Sequence, residues 1–127
     1  MKLNTASEVI SFARKLEEDG KGFYEGLAQR YADNRETLLS FASENRKNVV
    51  QIERAYYGVI TDAIEGCFAF NLSPDEYTLN TELAEATSFS EALDQAIKIE
   101  ENMIKFYSNA AEQSKALIAD VPRAFTL

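Results

Sequence analysis

Two stretches of this chain repeat one pattern at a constant offset, and the repeat narrows the available folds more than any other feature. Glu17-Glu18-Asp19-Gly20-Lys21-Gly22-Phe23-Tyr24 is echoed by Glu100-Glu101-Asn102-Met103-Ile104-Lys105-Phe106-Tyr107. The offset holds upstream, where Thr5, Ser7, Glu8, Ala13 and Lys15 fall on Ser88, Ser90, Glu91, Ala96 and Lys98. Both copies have helical spacing. Ile10, Ala13, Glu17, Gly20 and Tyr24 form one stripe, and Leu93, Ala96, Ile97, Glu100, Met103, Ile104 and Tyr107 form another. Each copy therefore sets one carboxylate into an otherwise apolar face, which is costly unless a partner compensates it.

The rest of the chain arranges itself around these helices. Thr5-Ala6-Ser7-Glu8 and Ser88-Phe89-Ser90-Glu91 are capping boxes, in which a hydroxyl caps the helix and a Glu three residues on reaches back. The first helix is expected to end near Ala32, with Gly22 and Gly26 one turn apart and open to a close neighbour. Asp33-Asn34-Arg35-Glu36 resembles a further box and starts an antiparallel second helix. Its inward stripe reads Leu38, Phe41, Ala42, Asn45, Asn48, Val49, Ile52, Ala55, Tyr56, Val59, Ile60 and Ala63, and it is expected to continue to Glu65 and stop at Gly66. Two asparagines in mid-stripe are its oddity.

Residues 66–87 lack periodicity, carry the breaker Ser73-Pro74-Asp75, and hold Phe68, Phe70 and Tyr77. A connection this long is expected to cross the length of a bundle, its aromatics packed on the helices, with a short helical turn after Pro74. The third helix is expected to reach Ile118, and Asp120-Val121-Pro122 reads as a fresh helix start. The expected fold is all-α, a single domain over residues 1–127. It is an up-down bundle of three long helices and the start of a fourth, with one long crossover.

Composition excludes several classes. The 13 Lys+Arg against 21 Asp+Glu give a net charge of −8, which argues against nucleic acid or an anionic membrane as partner. No apolar run approaches the roughly 20 residues of a membrane span, and the N-terminus has no signal-peptide pattern, so the expected compartment is the cytoplasm. A single cysteine, Cys67, excludes an internal disulfide and is expected to be a small buried hydrophobe. With no histidine, a Ser-His or Cys-His nucleophile pair is impossible.

The motif Leu16-Glu17-Glu18-Asp19-Gly20-x-x-Phe23-Tyr24, its partner Ile99-Glu100-Glu101-x-x-x-x-Phe106-Tyr107, and the long crossover together resemble the rubrerythrin branch of the ferritin-like superfamily. The resemblance implies a ferritin-like bundle in which two helices each give one Glu and two give Glu-x-x-His to a pair of iron or manganese ions. It places Glu17 and Glu100 at the single-Glu positions. The second helix departs from the pattern. Phe41-Ala42-Ser43-Glu44-Asn45-Arg46-Lys47-Asn48 puts Asn45 where the ligand Glu belongs and Asn48 where His belongs. A neutral amide is a feeble iron ligand. The other Glu-x-x-His would fall on a fourth helix, and the family's four-cysteine electron-transfer module is absent.

Three arrangements of Glu17 and Glu100 are open. They are relics of a metal site held by hydrogen bonds, sharing a proton and satisfied by Asn45 and Asn48. Or they hold a weak hard cation with Asn45 and waters. Or both reach solvent at helix edges. The expected function is a non-catalytic scaffold or interaction protein descended from a di-iron ancestor, without a cofactor. The alternative is a metal-binding oxidoreductase handling peroxide or oxygen, with iron or another divalent metal. A trough at the fourth-helix position implies a homodimer, exchanged through residues 66–87 in one variant, or a partner helix. The chain as a truncated form of a longer protein is a further expectation.

Overall fold

The computed structural model describes residues 2–59 and 70–114. Helix α1 spans Ala6–Arg30. The Glu8 backbone N–H donates to Thr5 Oγ1 at 3.2 Å, and the Glu8 carboxylate accepts from the Thr5 N–H at 3.0 Å. That satisfies donors which a helix start otherwise leaves without partners. The helix stops at Arg30, short of Ala32, because Ala32–Asn34 tighten into a 3-10 turn. Helix α2 then spans Arg35–Val59, so Asp33 lies inside the turn and does not start the helix. Helix α3 spans Phe89–Ser114, opened by the reciprocal pair between Ser88 and Glu91 at 3.2 Å each. The fold is all-α, with three long helices among the described residues. The expected helix ends at Glu65 and Ile118, together with Gly66, Cys67, Phe68 and Asp120-Val121-Pro122, lie outside the described residues.

The connection into α3 runs the length of α1. It begins at an antiparallel bridge, in which the Leu3 N–H donates to the Leu72 carbonyl at 2.7 Å and the Leu72 N–H donates to the Leu3 carbonyl at 3.2 Å. A 3-10 turn follows at Pro74–Glu76. Phe70, Leu72 and Tyr77 are buried, and the Tyr77 ring meets Phe106 edge-on at 5.2 Å. The connection closes at the other end of α1. There the Arg30 guanidinium donates to the carbonyls of Ala84 at 2.7 Å, Thr87 at 3.3 Å, and Glu85. The Tyr31 ring packs at a tilt against Phe89, centroids 5.0 Å apart, beside it. Since α3 starts beside the end of α1 and its Phe106 reaches back to Phe12 at 5.2 Å, the two helices are antiparallel.

The core forms on α1. Val9, Ala13, Leu16, Phe23 and Leu27 are buried, and α3 contributes Ala92, Ala96, Ile99, Met103, Phe106 and Ala110. Full burial of a side chain such as Leu16 or Leu27 stabilises by about 1.5–3 kcal/mol. The expected stripe of α3 is buried only in part: Ala96 and Met103 are buried and Tyr107 is half-buried, whereas Leu93, Ile97, Glu100 and Ile104 are exposed. The helix is apolar over an arc wide enough for two neighbours, and α1 covers one half of it. Helix α1 packs along α2 on one flank and against α3 on the other, while α2 and α3 share no comparable interface among the described residues. On α2 Phe41 is 44% exposed, and on α3 Ile97 and Ile104 are 55% and 63% exposed.

Candidate functional site

Glu17 sits at the middle of α1 with only 1% of its surface exposed, and Asn45 of α2, at 4%, faces it. Four contacts from three side chains reach its carboxyl group. Asn45 Nδ2 donates to Oε2 at 3.1 Å, and Asn48 Nδ2 lies 3.3 Å from Oε2 and 3.4 Å from Oε1. Tyr107 Oη of α3 donates to Oε1 at 3.1 Å. Both oxygens are engaged by donors, which is the compensation a buried acid requires. Gly20 makes the approach possible. A Cβ at that position would stand 3.3 Å from Asn45 Nδ2.

The second copy of the motif behaves differently. Glu100 is exposed, and its Oε1 accepts from Tyr24 Oη at 2.8 Å. The expectation of two acids facing each other inside the core is therefore met on α1 and not on α3. Glu18 and Glu101 are exposed, as are Arg46 and Lys47, the latter paired with Glu44 at 3.3 Å. The structure also joins Tyr24 and Tyr107 to the acids, each donating to the acid of the other helix. The equal Glu-to-Tyr spacing in the two copies is the signal that could have identified this exchange. Each Tyr lies two turns after its own Glu, so an antiparallel pair brings each hydroxyl to the other's carboxyl.

Burial pushes the Glu17 carboxyl above its ordinary value of 4.5, against the opposing pull of Asn45, Tyr107 and Asn48 and with a further upward push from the Glu100 charge. Burial and the neighbouring carboxylates push both tyrosines well above their ordinary value of 10.0, so they remain protonated donors. Asn45 Oδ1 is buried without a hydrogen-bond partner. Turning that amide over presents the oxygen where its nitrogen now meets Glu17, ready to accept the proton of a neutral carboxylic acid. The cradle thus suits either protonation state.

A cleft of about 100 Å³, lined by Glu17, Glu18, Lys21, Asn45, Arg46 and Val49, reaches this cradle from outside. A larger groove of about 550 Å³ lies elsewhere, between the connection at Thr78–Asn80 and α3 at Glu91–Asn102, and includes neither Glu17 nor Glu100. Among the described residues no group of three or more His, Cys, Asp or Glu side chains is placed to hold a metal ion. Glu17 and Glu100 are carboxylate ligands by type. The amides of Asn45 and Asn48, as oriented, turn their nitrogens to Glu17 and leave no converging oxygens for a cation.

An all-α protein with, among the described residues, three long helices and one amide-cradled acid is the class that fold and site define. The chain matches no protein-family model, no curated protein and no solved structure. No helix among the described residues is long and apolar enough to cross a membrane.

Proposed function

We propose that this chain is a non-catalytic scaffold of ferritin-like, rubrerythrin-derived descent, whose former metal position has become a structural hydrogen-bond cluster and whose trough receives a helix from another chain. The observation that carries this reading is the shell around Glu17. Two amides and a phenol donate to both oxygens of Glu17, the one fully buried acid among the described residues. A ligand carboxylate needs its lone pairs free for the metal, and the amides at the second-helix ligand positions consume them. The trough supplies the activity that remains, since apolar side chains as exposed as Ile97 and Ile104 mark an interaction surface when they adjoin one another.

Two measurements test this. Elemental analysis after mild purification is expected to find no stoichiometric metal, and about two irons per chain, the complement of an intact centre of this plan, would overturn the reading. Ile97→Ser with Ile104→Ser is expected to leave folding intact and abolish association with a helical partner. Association that survives both changes would place the docking surface elsewhere.

A further inference from the structure

The connection ahead of α3 alternates from residue 78 to residue 83. Leu79, Thr81 and Leu83 are half-buried, and Thr78, Asn80 and Glu82 are exposed, which is the period of an extended backbone. Helix α3 takes up the carbonyls of the exposed residues with amide side chains spaced along its length. Asn102 Nδ2 donates to the Thr78 carbonyl at 3.2 Å, and Gln95 Nε2 donates to those of Asn80 at 2.6 Å and Glu82 at 2.9 Å. These amides act as struts that hold the connection off the helix. Between the two lies the groove of about 550 Å³, whose apolar lining is Leu79 and Ile99. That volume is within the range of small-molecule sites, about 300–1,000 Å³, and the struts form its walls without a ligand.

The polar lining carries both signs of charge. Asp94 and Lys98 line the groove one helical turn apart, about 6 Å along the axis. An acid followed four residues on by a lysine is the order that favours an ion pair on a helix surface. Lys15 and Asp19 of α1 make an i,i+4 pair at 2.8 Å even in the less favourable order, whereas Asp94 and Lys98 do not pair with each other. Glu91, the other acid in the lining, is engaged by the Ser88 N–H at the helix cap. A ligand of one charge would satisfy either Asp94 or Lys98 and oppose the other, and a neutral polyol would desolvate both. A zwitterion meets each with its opposite. Gln95 and Asn102 donate through nitrogen and keep amide oxygens as acceptors, which suit the N–H of a peptide link. Two residues of extended chain set a terminal ammonium about 7 Å from its carboxylate, close to the step from Asp94 to Lys98.

We propose that this groove binds a short peptide with free ends, about two residues long, whose ammonium pairs with Asp94 and whose carboxylate pairs with Lys98. Two-dimensional NMR titration of the intact chain tests it with three probes: alanyl-alanine, its N-acetyl form and its C-terminal amide. Alanyl-alanine is expected to shift the resonances of residues 78–80 and 91–102 saturably, and each blocked form to bind about threefold or more weakly. Lys98→Gln should remove the preference over the amide, and Asp94→Asn the preference over the N-acetyl form. Both side chains are exposed, so the variants should keep the native far-ultraviolet circular dichroism. The preferences should shrink at high salt. Equal binding of the three probes, or preferences that survive Lys98→Gln and Asp94→Asn, would overturn the assignment of charges. The absence of any saturable shift along the groove would overturn the site itself. Free alanine bound as tightly as alanyl-alanine would overturn the peptide in favour of a single amino acid.

Discussion

Tyr107 donates to Glu17 across the α1–α3 interface at 3.1 Å, and Tyr24 returns the contact in the opposite sense, donating to Glu100 at 2.8 Å. The two bonds are alike in chemistry and unlike in surroundings. Glu17 is buried, so losing a donor leaves it short of partners that water cannot replace, whereas Glu100 can turn to solvent. Tyr107→Phe is expected to destabilise by about 1–2 kcal/mol, and Tyr24→Phe by less than half of that. Urea unfolding with an unchanged slope measures both, and equal losses would contradict the asymmetry.

The cradle is expected to behave as a unit. Glu17→Leu leaves the buried Asn45 amide and Asn48 without their acceptor, which costs about 2–4 kcal/mol in total. Replacing Asn45 by Leu as well removes the stranded amide. The double variant should then fall short of the sum of the single changes by about 1 kcal/mol or more. A double-mutant cycle by chemical denaturation checks this, and additivity would dissolve the cluster into separate contacts.

Three glycines in α1 divide by what stands over them. Gly22 and Gly26 meet nothing within 4 Å of a built Cβ among the described residues, so Gly22→Ala and Gly26→Ala should each stabilise by about 0.5–1 kcal/mol through helix propensity. Gly20→Ala gains the same propensity and presses on Asn45, which Glu17 holds in place. It is expected to be neutral or destabilising. Thermal melts of the three variants decide the matter, with a stabilised Gly20→Ala as the contradicting result.

The raised carboxyl of Glu17 makes stability depend on pH in a definite direction. An acid whose value is higher folded than unfolded contributes fully below its unfolded value, near 4.5, and that contribution is lost as pH rises through the folded value. Glu17→Gln cannot ionise. The stability of Glu17→Gln relative to the native chain is therefore expected to improve as pH rises above that ordinary value, near 4.5, and to level off once Glu17 has ionised. Denaturation curves across that range measure the difference, and a gap independent of pH would contradict the direction.

The capping boxes and the Glu–Phe-Tyr repeat made much of this architecture legible. Thr5 and Ser88 cap as a hydroxyl and a Glu three residues apart must, and the period of α1 places Glu17 and Asn45 face to face. One feature lay beyond the reach of pattern. Helix α3 is apolar around an arc that could serve either of two neighbours, and periodicity alone cannot say which half α1 will cover. That choice buried Met103 and left Glu100 in the open. The crosswise tyrosines were carried by the equal Glu-to-Tyr spacing of the two copies, to which only the antiparallel pairing of helices distant in sequence had to be added. Asp33 was misleading for a local reason, since the 3-10 turn at Ala32–Asn34 moved the start of α2 to Arg35.

Amides in place of metal around Glu17, as proposed, leave a chain that native mass spectrometry after mild purification should find at the mass of the polypeptide, unchanged by a chelator. A species heavier by about two iron atoms per chain, lost on chelation, would refute that proposal.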